Sequence, residues 1–164
     1  MPEIATRIVE ICGFNFADKV PRYLLLQRSE KDRIYPGIWQ IVTGSIEPGE
    51  RAVEAGLREL KEETGLTPKR FWVVPHINSF YVADEDTLHH TIFFAAEFEA
   101  SDQIILSREH HSFAWMKYDD AKDSLVWPGQ KKGLEIVHEY IAGGKEAAKL
   151  LELRLVETEK ENIR

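Results

Sequence analysis

The run from Gly44 to Leu66, Gly44-Ser-Ile-Glu-Pro-Gly-Glu50-Arg-Ala-Val-Glu-Ala-Gly-Leu-Arg58-Glu59-Leu60-Lys-Glu62-Glu63-Thr-Gly65-Leu66, constrains this chain more than any other segment. Pro48-Gly49 marks a turn. The residues from about Arg51 to Thr64 then read as a helix, with Gly65 at the C-cap position and Pro68 preventing resumption. Each helical residue turns by about 100°, so Val53, Leu57 and Leu60 fall on one stripe, the expected core face. Glu59 and Glu63 lie about 40° apart on a different face, with Glu62 on the adjoining arc. Ala52 and Gly56 share the Glu59/Glu63 side and leave room there for another segment or a ligand.

Local physics does not favour this arrangement. Like charges four apart destabilise a helix by about 0.2–0.5 kcal/mol per pair. Three carboxylates near the negative C-terminal end are worse placed still. A solvated acidic face is one reading of three glutamates. The other is a hard-oxygen site for Mg²⁺ or Mn²⁺. Arg58 stands four residues before Glu62 and four after Glu54, so it pairs with either and orients the carboxylates.

The whole segment decides between them. Gly44, five residues, Glu50, seven residues, Arg58-Glu59, an aliphatic, any residue, Glu62-Glu63, any residue, Gly65 and an aliphatic resemble the Nudix box at every fixed position. The resemblance implies an α/β (α+β) fold, a mixed β-sheet sandwiched between helices. It also implies a divalent-cation enzyme that hydrolyses a nucleoside diphosphate linked to another group, with Mg²⁺ (or Mn²⁺) as cofactor. Carried over, Glu59 and Glu63 are the principal metal ligands. Glu62 is a further ligand and, with Glu63 and Arg58, a catalytic candidate. Glu50 is an outer ligand or helper, and Gly44 and Gly65 permit backbone turns.

The flanks extend the resemblance. Trp39-Gln40-Ile41-Val42-Thr43-Gly44-Ser45 is similar to the entry of the bacterial dihydroneopterin triphosphate and dATP pyrophosphohydrolase branch. So is Arg108-Glu109-His110 followed by Phe113-Ala114-Trp115-Met116. That likeness makes Glu109 a further metal ligand. Arg28, Trp39, Gln40 and Gly44 are the candidate substrate-binding residues. For Arg28 the alternatives are a phosphate contact or an exposed strand arginine. For Trp39 they are ring stacking or core packing. Phe80 and Tyr81 point to opposite faces of one strand, so at most one meets a ligand. Trp127 lines a base pocket or staples a helix. His89-His90 and His110-His111 lack helical metal-ligand spacing and read as surface or site-edge residues.

The implied reaction converts dihydroneopterin triphosphate or a (d)NTP to a monophosphate and pyrophosphate. A dinucleoside polyphosphate (Ap4A-type) hydrolase is the alternative, since related branches share the late Glu-His segment. A non-catalytic Nudix-fold binding module is disfavoured because no box glutamate is missing. The isomerase chemistry known on this fold uses a cysteine, and Cys12 lies in the first strand, away from the box.

Along the chain, Ile4–Phe14 and Arg22–Arg28 read as hairpin strands joined by a polar connection. Ser29–Gly37 reads as a loop and Ile38–Thr43 as a short strand. Phe71–Val82 and Thr87–Phe98 read as a long antiparallel pair around Ala83–Asp86. Ser112–Lys117 reads as a strand, Tyr118–Asp123 as one helical turn, and Pro128–Ala142 as a helix stopped by Gly143-Gly144. Residues 1–144 are assigned to the Nudix hydrolase domain. Residues 145–164 are assigned to a C-terminal helical extension of it, whose Leu150, Leu151 and Leu155 offer a homodimer contact.

The 164 residues carry 21 Lys plus Arg against 28 Asp plus Glu, a net charge of −7. That balance argues against a nucleic-acid polymer or an anionic membrane as partner. A small nucleotide-like diphosphate remains suitable if a cation lies between the negative partners. One cysteine leaves no disulfide framework. The absence of a leader pattern or a long apolar run predicts a cytoplasmic protein.

Overall fold

The computed structural model describes residues 1–155. A mixed sheet lies between helices, as the box implies. Strand β1 (Glu3–Ala17) runs through its centre, antiparallel to β2 (Val20–Arg28) and β4 (Val42–Ser45) and parallel to β7 (Thr87–Glu97). β2 also pairs with β3 (Trp39–Gln40) and β8 (His110–Met116). β7 also pairs with β5 (Arg70–Val73) and β6 (Ser79–Val82).

Continuous apolar runs produce this layering because both sheet faces are covered. Val9, Ile11, Leu24, Leu26, Val42 and Phe94 face helix α1 (Ala52–Thr64), with Ala55 and Leu60. Cys12, Phe14, Leu25, Ile41, Trp72 and Phe93 face the other way. There they meet Ala121 and Leu125 around α2 (Tyr118–Ser124), and Leu134, Val137 and Ile141 from α3 (Pro128–Ile136) and the π-helical turn Val137–Ala142. Among the described residues no helix is long and apolar enough to cross a membrane.

Several boundaries differ from the sequence reading. The first hairpin turns on two residues, Asp18 (φ 51°) and Lys19 (φ 64°), which suits the twist of the flanking strands. The segment read as Ile38–Thr43 is two strands with different partners, β3 on β2 and β4 on β1. The segment read as Phe71–Val82 breaks between β5 and β6 at Pro75, which has no N–H for a ladder. The expected tail helix covers only Glu146–Leu151 (α4), and Glu152–Leu153 (β9) then pairs with β5. Leu151 and Leu155 pack against the chain's own core, leaving Leu150, 78 % exposed, of the three leucines offered for a dimer. The tail beyond residue 155 lies outside the described residues.

Candidate active site

Helix α1 places the carboxylates. Glu54 Oε2 accepts a hydrogen bond from Arg51 N at 3.0 Å and fixes the first turn. Gly65, at φ 72°, ends the helix in the left-handed region, where a side chain would be strained. Leu60 is buried as expected, while Val53 and Leu57 are only partly buried against the same cluster. The buried stripe is rotated to take in Gly56 and Glu63. A Cβ on Gly56 would stand 3.3 Å from Phe71 and Phe94, so the room on this side is taken by the sheet.

Glu59 is cradled by strand β4. A Cβ on Gly44 would lie 2.0 Å from Glu59 Cδ, so only glycine admits this carboxylate. Ser45 N donates to Glu59 Oε1 at 3.2 Å. Arg58 spends all its donor directions here. Nε and Nη2 grip both oxygens of Glu50 at 2.8 and 2.9 Å, Nη1 reaches Glu59 Oε1 at 3.0 Å and Glu62 Oε2 at 3.2 Å, and Nη2 donates to Ser45 O at 2.8 Å. The expected partner Glu62 is therefore found, but Glu54 is not. Its place is taken by Glu50, because Glu54 is committed to the helix start.

The electrostatics separate these groups. The Arg58 guanidinium and the Glu47 backbone hold Glu50 at about 2. Burial pushes Glu59 upward despite Arg58. Glu63 is pushed up to about 8, first by burial and then by the charges of Glu59 and Glu109. Among the described residues its Oε2 is buried without a hydrogen-bond partner. A lone desolvated carboxylate oxygen beside like charges calls for a proton or a cation.

Among the described residues, no three His, Cys, Asp or Glu side chains converge closely enough to hold a metal ion. The donor chemistry nevertheless fits a hard divalent cation. Arg58 takes one oxygen each from Glu59 and Glu62, and Glu63 Oε2 has no partner. Glu59, Glu62 and Glu63 share this helix, and the charge of the exposed Glu109 acts on Glu63, so these are the carboxylates that could supply oxygens.

The other predicted residues divide. Arg28 is tied locally, through Nε to Ile34 O at 3.1 Å and through Nη2 to Asp32 at 3.4 Å, yet its charge still acts on Glu63. Gln40 is buried, with Nε2 3.4 Å from His110 Nε2. Trp39 packs partly buried against the core, which favours its packing alternative. Trp127 stands edge-on to Tyr35, ring centres 4.8 Å apart. Phe80 stacks on His89 at 5.4 Å and remains 39 % exposed. Sequence reasoning placed His110 at the surface or site edge, but it is 5 % exposed with an unpartnered Nδ1. It also passed over Glu10, a buried carboxylate whose signal was a lone acid inside the apolar run Ile8–Cys12. A depression of about 580 Å³ at the β5/β9 edge is lined by Lys69, Arg70, Lys149 and Glu152 among others and holds none of the predicted site residues.

The model of the NUDIX domain family matches residues 4–137. This chain belongs to the Nudix family. It is 28 % identical over 105 residues to the nucleoside triphosphatase NudI of Escherichia fergusonii, spanning 60 % of this chain and 74 % of that protein. The fold superposes on a Caenorhabditis elegans Ap4A hydrolase in a binary complex with a TM-score of 0.70 at 21 % identity, covering 85 % of this chain and 99 % of that one. It superposes on the Escherichia coli dihydroneopterin triphosphate pyrophosphohydrolase with a TM-score of 0.66 at 24 % identity, covering 82 % and 96 %. The Nudix box therefore sits on the fold that the family resemblance implied.

Proposed function

We propose that this Nudix hydrolase is a Mg²⁺-dependent (or Mn²⁺-dependent) pyrophosphohydrolase of a nucleoside-triphosphate-like substrate. The observation that carries the reading is the buried, unpartnered Glu63 Oε2 on the same helix as Glu59 and Glu62. Two relatives support the substrate class, NudI by its name as a nucleoside triphosphatase and the Escherichia coli enzyme by its action on a triphosphate.

Glu59, Glu62, Glu63 and Glu109 are the residues that would hold the cation, which would supply Lewis-acid chemistry to the phosphate chain and the attacking water. The chain's own groups do the rest. Gly44 keeps space for Glu59, and the Ser45 amide fixes its direction. Arg58 holds Glu50, Glu59 and Glu62 in one array. Glu62 and Glu63 are the carboxylates that take a proton from the attacking water. Arg28 contributes positive charge toward a phosphate. Water oxygen bonds to the α phosphorus, the α–β bridging P–O bond breaks, and pyrophosphate leaves with the bridging oxygen.

The test is turnover of dihydroneopterin triphosphate, the dNTPs and diadenosine tetraphosphate in ¹⁸O-labelled water with Mg²⁺. The expected products are monophosphate carrying the label and unlabelled pyrophosphate. Orthophosphate release, or a strong preference for diadenosine tetraphosphate with ATP and AMP as products, overturns the assignment of the bond.

A further inference from the structure

Glu10 is a buried carboxylate, 3 % exposed, with no part in the chemistry above. Three side chains converge on it. Thr91 Oγ1 donates at 2.7 Å, Gln130 Nε2 at 3.0 Å, and Asn78 Nδ2 at 3.2 Å to one oxygen and 3.4 Å to the other. A carboxylate only accepts, so both amides must turn their NH₂ groups toward Glu10. Their carbonyl oxygens therefore face away. Gln130 Oε1 is used by the Ile41 backbone N–H at 3.4 Å. Among the described residues Asn78 Oδ1 has no such partner, and it lies over Gly129, where a Cβ would stand 1.8 Å from it. Asn78 thus presents an acceptor whose polarity is fixed by its neighbour.

The surroundings suit a ring. Asn78 opposes Thr91 through the bond Thr91 N to Asn78 O at 2.9 Å, and Phe80 opposes His89 two positions along. The two-residue strand period puts Asn78 and the half-exposed Phe80 on one face. Glu10 pairs with Thr43 across β1 and β4, and its neighbour Val9 pairs with Gly44, the residue beneath Glu59. Val9 faces α1, so the Glu10 side chain lies on the opposite sheet face, and the Asn78 segment is reached from β4 across β1 and β7. Strand neighbours are about 5 Å apart.

We propose that Asn78 Oδ1 selects a substrate ring bearing an amino group, that the ring stacks on Phe80, and that Glu10 is the positioning residue that fixes the Asn78 amide. This rests on the triphosphate reading above. An acceptor held this way rewards an N–H donor and leaves a ring carbonyl facing a like dipole.

The experiment measures kcat/KM with Mg²⁺ for two matched pairs, dATP against dITP and dCTP against dUTP. Wild-type protein is compared with Asn78→Leu and Glu10→Gln, and each variant's thermal midpoint is recorded. The wild type is expected to favour the amino member of at least one pair by tenfold or more. Asn78→Leu should bring that ratio near one. Glu10→Gln gives Asn78 a donor as well as an acceptor, frees its amide to turn, and should lower the ratio at least fivefold. A purely structural role lowers turnover of both members together and leaves the ratio unchanged, which overturns the inference even if Glu10→Gln folds poorly, because Asn78→Leu tests it independently. Equal turnover of both pairs by the wild type overturns it while leaving the triphosphate reading intact. No turnover of any triphosphate overturns both.

Discussion

Gly44 and Glu59 interlock: the space where a Gly44 side chain would stand is filled by the Glu59 carboxyl group, 2.0 Å from an ideal Cβ. Gly44→Ala must therefore move Glu59 out of its cradle and break the 3.2 Å bond from Ser45 N. The expected result is a loss of about 100-fold or more in kcat/KM, because misplacing a catalytic group by about 1 Å has that cost. Calorimetric titration with Mn²⁺ should show weaker binding. Wild-type affinity in the variant would remove Glu59 from the metal site.

Arg58 and Glu50 should not survive a swap of cations. Lysine has no planar fork and cannot serve Glu50, Glu59, Glu62 and Ser45 O together. Arg58→Lys should lower kcat by about tenfold or more. Carbon-detected NMR titration should show Glu50 moving up from about 2 toward an ordinary glutamate. An unmoved Glu50 would mean that Arg58 is not what holds it.

Glu63 makes the metal-free protein pH-sensitive. Its folded pKa of about 8 lies above the ordinary 4.5, so between these values the folded state keeps a proton that the unfolded state has lost. Stability from this group is full below about pH 4.5 and falls as pH rises toward 8. Glu63→Gln should flatten that slope in denaturant titrations at pH 5, 6, 7 and 8. Mg²⁺ binding to the wild type should release close to one proton per site near pH 7, read from the buffer dependence of binding heat. No proton release would contradict the raised Glu63.

Glu109 raises Glu63 through its charge from an exposed loop. Glu109→Ala should leave the metal-free thermal midpoint within about 2 °C, since exposed changes away from special features move stability little. Metal affinity should fall about tenfold, and the Glu63 pKa should drop. A variant with unaltered metal affinity would make Glu109 a surface carboxylate.

Some of this protein was legible in its residues because the determinants are local. A helix is one covalent stretch, so the Glu59, Glu62 and Glu63 spacing, the Gly65 stop and the turn at Pro48-Gly49 all follow from positions in the chain. The continuous apolar run Tyr23-Leu24-Leu25-Leu26 likewise marked a strand, which the structure buries on both faces.

The remainder depended on contacts that no local rule contains. Helical spacing made Glu54 and Glu62 equal partners for Arg58. Tertiary structure decided for Glu62 and added Glu50, because the loop before α1 folds back on the guanidinium while Glu54 closes the helix start. Ile38–Thr43 carries one apolar pattern but forms two strands, because β1 and β2 diverge and each takes its own partner. The tail has helical composition, yet Glu152 and Leu153 leave the helix to pair with the β5 edge, where Arg70 grips Glu152 at 2.7 and 3.0 Å. Glu10 is the clearest case: its donors come from Asn78, Thr91 and Gln130, between 68 and 120 residues away along the chain. Sequence marks an acid in an apolar strand, but only the packed sheet and helix bring those donors to a desolvated carboxylate that needs them.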